Sequence, residues 1–413
     1  MARKKIKKLP PAPDAYQGAD IQYPNFSFDI FHRDSESRAR LGRLNTPHGT
    51  VETPNFIVCG TKASVKALNP MQVKEAGADF ILANTYHLMI QPGADTVEKL
   101  GGLHKMMNWK GPMLTDSGGF QIYSMGDGTD ADEIKGRNYN SKRGRSLTKI
   151  TEEGAAFRSY KDGSKLFLSP ESAMEIQRKL GPDFVVQLDE CTAMHVSEQY
   201  TEDSMHMSHR WGDRSLEAFN KTHDGTQAIY GVVQGGVFQN LREQSAAFTA
   251  TRPFFGTAIG GTFGGNFDQF FEIVSWCMPH IAQDRPVHLL GIGTFKDIFE
   301  CVRLGIDTFD CVSPTRIARH GWALMKGAPG ERLNLRNAKY AHDQDPIWPE
   351  LGIPCSSQFS KGYIHHLFKA NESLGGQLLA QHNIAVMAHL MREIRKAIKE
   401  NTLDELQKEW VIE

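Results

Sequence analysis

No apolar run in this sequence is long enough to cross a membrane, and no apolar stretch of the kind a secretory signal carries opens it. Both absences lead to the expectation of a cytoplasmic protein. The six cysteines (Cys59, Cys191, Cys277, Cys301, Cys311 and Cys355) include no C-x-x-C pair, which argues against a disulfide framework and against a zinc ribbon. Formal net charge is −1, so nucleic-acid binding has to rest on local patches. There is no G-x-G-x-x-G after the first strand candidate, no phosphate loop and no G-x-S-x-G elbow. Dinucleotide binding, P-loop hydrolysis and α/β-hydrolase chemistry lose their usual signatures together. A metal-free aldolase or decarboxylase is weakened because no lysine stands at a strand end.

What is present is a long alternation of apolar segments and helical patterns. Strand candidates are Phe56–Gly60, Phe80–Thr85, Met113–Ser117, Phe184–Glu190, Tyr230–Gly235, Thr257–Gly261, His288–Gly293 and Thr308–Val312. Helical spacing separates them over Pro70–Gly77, Ala94–Met107, Glu171–Leu180, Glu202–Lys221, Asn240–Thr251, Phe267–Ile281 and Asp297–Leu304. Apolar strands alternating with helices predict a parallel sheet covered on both faces, and eight units predict a closed (β/α)8 TIM barrel. The expected division is a basic, disordered tail over 1–25, the catalytic barrel over 26–345, and a C-terminal helical subdomain over 346–413. The barrel has an insertion after its third strand, Ile122 to Leu168, ending in a hairpin over Phe157–Leu168. Basic residues gather in the tail (Arg3, Lys4, Lys5, Lys7 and Lys8) and in the insertion (Lys135, Arg137, Lys142, Arg143, Arg145 and Lys149).

In such barrels chemistry collects at the carboxyl ends of the strands. Those ends carry Asn84, Asp116, Asp189 with Glu190, Gln234, Gly260 with Gly261, Gly293 and Asp310. An aspartate between Phe309 and Val312 would cost several kcal/mol to bury without hydrogen bonds or an opposite charge. A carboxylate facing an amide suits the mixed donor and acceptor edge of a purine. Two further carboxylates could act as nucleophile and general acid/base at a glycosidic carbon.

Motifs at these positions resemble those of the tRNA-guanine transglycosylases. They are Asn84-Thr-Tyr-His-Leu88, Leu114-Thr-Asp-Ser-Gly-Gly-Phe-Gln121, Asp189-Glu-Cys191, Val233-Gln-Gly-Gly236 and Phe309-Asp-Cys-Val-Ser-Pro-Thr-Arg316, with Tyr363-Ile-His-His-Leu367 and His382-Asn383 further on. The resemblance implies exchange of the wobble guanine of a tRNA for a free 7-deazaguanine base, through a covalent aspartyl–tRNA intermediate. It assigns Asp310 as nucleophile and Asp116 as general acid/base. Asp189, Gln234, Gly261, Ser117, Phe120 and Cys191 fall in the base-binding set, and Arg316 and Arg319 match residues that hold the anticodon loop. A homodimer is implied, with Phe359, Tyr363, His366 and Leu367 at its contact. Base exchange in DNA, and a non-catalytic tRNA-binding partner subunit, stand as alternatives.

Three departures from the family pattern follow. A lysine after Leu290-Gly-Ile-Gly293 is replaced by Thr294. The family's structural zinc is expected to be lost, because Leu351, Ile353 and Ser356 occupy its cysteine positions and His382 alone stays in register. No cofactor is therefore expected. Gly264 stands where bacterial relatives have valine, and Asn266 where they have an acidic residue. Both favour queuine over 7-aminomethyl-7-deazaguanine as the incoming base.

Overall fold

The computed structural model describes residues 9–121, 149–261, 264–265 and 267–412. Arg3, Lys4, Lys5, Lys7, Lys8, Lys135, Arg137, Lys142, Arg143, Arg145, Thr262, Phe263 and Asn266 lie outside these residues. An antiparallel sheet opens the fold, made of β1 (Ser27–Arg33), β2 (Arg40–Thr46) and β3 (Gly49–Thr53). The barrel strands follow as β4 (Asn55–Cys59), β5 (Ile81–Ala83) and β6 (Met113–Thr115). A second antiparallel sheet comes next, of β7 (Lys149–Thr151), β8 (Gly154–Arg158) and β9 (Lys165–Leu168). The barrel resumes with β10 (Phe184–Val186), β11 (Ala228–Val233), β12 (Gly256–Ile259), β13 (Val287–Leu289) and β14 (Thr308–Cys311). These eight strands close in chain order, every neighbour parallel, with β14 pairing back onto β4. The expected TIM barrel is the observed one.

Why the sheet closes is visible in its two faces. Ile57, Leu82, Leu114, Val186, Tyr230, Val232 and Ala258 form one cluster inside the barrel. Phe26, Leu44 and Val51, from the N-terminal segment and sheet, join that cluster. The alternate residues Phe56, Val58, Ile81, Met113 and Phe309 pack outward with helix residues such as Phe295, Val302 and Leu390. With both faces apolar, strand after strand reads as a continuous hydrophobic run. Leu390 belongs to the long helix Ser373–Glu400, so the C-terminal helices share the barrel's outer core.

Three details differ from the sequence expectation. Residues 9–25, expected within a tail, lie against the barrel. Ile21 is buried, Tyr23 Oη donates to the Pro253 carbonyl (2.7 Å), and Arg252 donates to the Asp14 carbonyl (2.7 Å). Proline-rich composition hid these scattered anchors. The expected Ala94–Met107 helix is two short helices broken at Gly101, which adopts a left-handed conformation. The strand candidate ending at Val312 is followed at once by the helix Ser313–Ala318, with Pro314 in its first turn, where its missing N–H does no harm.

The N-terminal sheet is fastened by a buried ion pair. Arg40 donates to both oxygens of Asp307 (Nε–Oδ1 2.9 Å, Nη2–Oδ2 2.6 Å), and further to the Gln283 and Arg285 carbonyls. The Val287 amide also donates to Asp307 Oδ2 (2.7 Å). Removing one partner strands the other charge in the core, which costs about 3–5 kcal/mol, whereas removing both can be near neutral. Arg40→Met is therefore expected to destabilise the protein by about 3–5 kcal/mol in urea unfolding. The double variant Arg40→Met/Asp307→Leu should recover much of that loss; additive losses would contradict the pairing.

Candidate active site

Side chains alternate along a strand, so a residue two places beyond an inward-facing one also faces inward. Ile57, Leu82, Leu114 and Val232 face the interior. Cys59, Asn84, Asp116 and Gln234 share their direction at the carboxyl ends. On β14 the same parity aligns Thr308 with Asp310. The rim residues converge because each strand carries its inward register one step past the apolar layer.

Asp310 is buried, with 8 % of its surface exposed. The Gly291 amide donates to its Oδ1 (3.0 Å), and His288 Nε2 lies 3.3 Å from the same oxygen. Its Oδ2 meets the Cys59 thiol at 3.5 Å. That thiol is pushed well above its ordinary range, first by burial and then by the Asp310 charge, so it stays neutral.

Asp116 sits half-buried on the same rim, at the end of β6. The Thr85 amide donates to its Oδ1 (2.9 Å) and Asn84 Nδ2 donates to its Oδ2. Asn84 also caps the following helix, accepting from the His87 amide (2.9 Å), which holds its amide group in place. Burial raises the Asp116 carboxyl, the Thr85 amide pulls it back, and the Asp310 charge raises it again, leaving it pushed up to about 7. The Asp116 carboxyl can therefore hold a proton near neutral pH.

Asp189 accepts from Gln234 Nε2 (2.6 Å) and Ser117 Oγ (3.2 Å). Burial, offset in part by these two bonds, pushes its carboxyl up to about 6. Gln234 Oε1 is buried without a hydrogen bond. Gly261, at φ +90°, comes so close that an added Cβ would lie 2.5 Å from that oxygen, so only glycine fits. Cys191 is buried and Phe120 is 40 % exposed on the same side. Glu190 turns away, accepting from Tyr200 Oη and Ser204 Oγ (2.7 Å each), so it is a core residue and not part of the rim. Arg316 and Arg319 are exposed, three residues apart along the helix that follows β14, and so lie on one side of it. Gly264 has φ +80°, and a Cβ there would collide with the Gln269 side chain. Its backbone conformation gives a second reason for glycine beside space for a bound base.

A rim of carboxylates, amides and a close-approach glycine, flanked by exposed guanidinium groups, coincides with a match along nearly the whole chain. The family model described as Queuine tRNA-ribosyltransferase matches residues 34–413. The chain belongs to this family. Curated relatives of that name include one from Roseiflexus sp. (strain RS-1), 44% identical over 93% of this chain and 99% of its own. Another, from Protochlamydia amoebophila (strain UWE25), is 44% identical over 92% of this chain and 96% of its own. A third, from Zymomonas mobilis, is 42% identical over 94% and 95%.

The family resemblance implied a structural zinc, and the residues here do not fit one. Leu351 and Ile353 pack against the apolar core. His382 is fully buried, and its Nε2 lies 2.9 Å from the Leu324 carbonyl. A carbonyl only accepts, so Nε2 donates, and Nδ1 is left to accept from Ser356 Oγ at 2.8 Å. Burial pushes this imidazole down to about 4, consistent with a neutral ring. Both nitrogens are thus in use. Cys355 is one further donor nearby, and two donors do not make a tetrahedral site. Elsewhere among the described residues, His48, His104 and Asp183 bring ligand atoms within 4.8 Å of one another. The two imidazoles there are stacked, with centroids 3.5 Å and planes 10° apart. Rings so stacked cannot both aim an in-plane lone pair at one ion, and Asp183 serves them as an acceptor (His48 Nδ1–Oδ1 2.8 Å).

Thr294, in place of the family lysine, caps the helix Phe295–Arg303, accepting from the Asp297 amide (3.2 Å). Of the expected dimer patch, Tyr363 and His366 are exposed and Phe359 is half-buried against Tyr363, but Leu367 is in the core and cannot line a surface. His288 and Cys59 were missed in the sequence, where both read as strand residues. Their signal was inward parity, which becomes legible only once the strand bounds are known.

Because the Asp116 carboxyl rises from 3.8 to about 7 on folding, its ionised form opposes folding. That opposition is absent below about pH 4, grows as pH rises towards 7, and is complete above it. Asp116→Asn removes the charge. Allowing for partial exposure, it is expected to stabilise the fold by about 1–3 kcal/mol at pH 8 and by less at pH 5. Thermal unfolding at both pH values checks the sign.

Proposed function

We propose that the protein is a tRNA-guanine transglycosylase, a pentosyltransferase that exchanges the wobble guanine of tRNA for a 7-deazaguanine base in queuosine modification. The observation that carries this reading is the pair Asp116 and Asp310, on one rim of the barrel at the ends of β6 and β14, with the Asp310 charge felt at Asp116 and the Asp116 carboxyl raised by burial. Asp310 attacks the ribose anomeric carbon, and the bond from that carbon to guanine breaks. Asp116 gives a proton to the departing base. The incoming base then loses a proton to Asp116 and displaces Asp310, so configuration is retained over two inversions. Asp189, Gln234, Ser117 and the Gly261 backbone read the edge of the flipped base, with Phe120 stacking on it and Cys191 lining the pocket. Arg316 and Arg319 meet anticodon-loop phosphates. The relatives' name specifies queuine, and the neutral Asn266 removes a charge that would favour an aminomethyl group, so queuine is the proposed base. The setting is the cytoplasm. No helix among the described residues is long and apolar enough to cross a membrane, in keeping with that setting. The exposed Tyr363 and His366, with Phe359 behind them, support a homodimer contact.

The test is a covalent adduct. Wild-type protein mixed with tRNA is expected to give a protein–RNA band on a denaturing gel, and Asp310→Asn none. Duplex DNA should give no band, and kcat/KM should be higher for queuine than for 7-aminomethyl-7-deazaguanine. Guanine exchange by Asp310→Asn at near the wild-type rate would overturn the assignment.

We further propose that the enzyme works without the family's structural zinc, the Ser356–His382–Leu324 hydrogen bonds and the Leu351 and Ile353 side chains holding this region instead. Elemental analysis of protein purified without chelators should find no stoichiometric zinc, and a chelator should leave the melting temperature unchanged. Ser356→Ala leaves His382 Nδ1 buried and unpaired, and should cost about 1–3 kcal/mol.

A further inference from the structure

His288 is fully buried on β13, beside Thr308 of β14. Its Nδ1 lies 3.0 Å from Thr308 Oγ1 and 3.2 Å from the Thr308 carbonyl. Its Nε2 has no hydrogen bond of good geometry, yet it stands 3.3 Å from Asp310 Oδ1. A buried polar atom aimed at the proposed nucleophile, and otherwise unpartnered, requires an account.

The two tautomers of the ring are not equivalent here. If Nδ1 carried the proton, Nε2 would turn a lone pair towards an anionic oxygen in a buried site. If the Thr308 hydroxyl donates to Nδ1, the proton sits on Nε2 and faces Asp310. The second arrangement leaves no proton between Nδ1 and the Thr308 carbonyl, but it turns a donor and not a lone pair towards the carboxylate, whose field selects it. Asp310 is then asymmetric. Oδ1 takes the Gly291 amide and faces His288 Nε2 at 3.3 Å, while among the described residues Oδ2 meets a weak thiol donor.

We propose that His288 is a positioning residue that holds Asp310 Oδ1, so that Oδ2 is the oxygen that bonds to the ribose. This rests on the reading of Asp310 as nucleophile. When Oδ2 bonds to the anomeric carbon, Oδ1 becomes the ester carbonyl and the carboxylate loses its charge. When the incoming base breaks that bond, the charge returns to a carboxylate already held by two donors. His288 therefore orients the attack and stabilises the carboxylate as it leaves.

Single-turnover adduct formation with tRNA tests this, using His288→Leu and His288→Gln. Leucine fills similar space with no donor, while the glutamine amide can place an N–H near the Nε2 position. Leucine is expected to slow adduct formation about 10- to 100-fold, the range for a lost hydrogen bond to a charged group. Glutamine should restore the rate to within about fivefold of wild type, on the same grounds. Affinity for guanine, measured by calorimetry, should change less than about twofold in both, because His288 does not touch the Asp189–Gln234 pocket. An unchanged rate in His288→Leu, equal slowing in both variants, or guanine affinity falling in step with the rate would each overturn the proposal. Asp310→Asn judges the underlying reading separately. If it abolishes the adduct while His288→Leu does not slow it, only the role of His288 fails.

Discussion

An aspartate enclosed by a parallel barrel has lost its water and must be given a donor by the chain next to it. Four aspartates in this protein meet that demand in one way, by accepting a backbone amide from the neighbouring strand or its following loop. Asp183 takes the Met113 amide (2.8 Å), Asp307 that of Val287 (2.7 Å), Asp116 that of Thr85 (2.9 Å) and Asp310 that of Gly291 (3.0 Å). Asp183 and Asp307 stand just before β10 and β14, at the amino-terminal end of the barrel. Asp116 and Asp310 stand at the carboxyl ends of β6 and β14.

The two ends differ in what completes the charge. Asp307 has Arg40, and Asp183 has His48 and His104. For Asp183 burial alone would raise the carboxyl, but the two imidazoles outweigh it and hold it below its ordinary range. His104 Nε2 stands 3.2 Å from Asp183 Oδ2. Asp116 has no cation beside it, and its carboxyl rises. Burial is the larger influence at Asp307 and at Asp116: it raises the Asp307 carboxyl despite Arg40 and the Asp116 carboxyl without a cation. The N-terminal sheet supplies Arg40 and His48, so the segment that plugs the barrel also neutralises its floor.

Much of this was legible in the sequence because barrel strands buried on both faces leave unbroken apolar runs, and their ends are marked by polar residues. Asp116, Asn84, Gln234 and Asp310 could be placed on the rim from that pattern. Glu190 could not be separated from Asp189, because β10 stops at Val186 and the inward register is lost beyond it. His288 was invisible for a related reason. A histidine in an apolar strand shows its significance only when the register sets it beside Thr308 and below Asp310. The N-terminal segment was misread because Tyr16, Ile21 and Tyr23 are too widely spaced to form a periodic signal. Gly264 was ambiguous because space for a ligand and a left-handed backbone both select glycine, and sequence cannot tell them apart.

On the proposed zinc-free reading, hydrogen bonds and packing hold the C-terminal region. The segment that bears Arg316 is held from behind by Asn383, whose Nδ2 donates to the Pro314 and Trp322 carbonyls and whose Oδ1 accepts from the Leu324 amide. The adjacent His382 reaches the Leu324 carbonyl on one side and Ser356 on the other. These bonds link the Pro354–Ser357 turn, the strand Trp322–Leu324 and the helix Ser373–Glu400 into one unit. Tetrahedral coordination would impose such a link by geometry. A serine–histidine–carbonyl line imposes it by direction, and the Leu351 and Ile353 side chains fill the volume. What the proposed chemistry needs from this region is a fixed backbone under the helix that carries the guanidinium groups, and these hydrogen bonds tie that helix to the core.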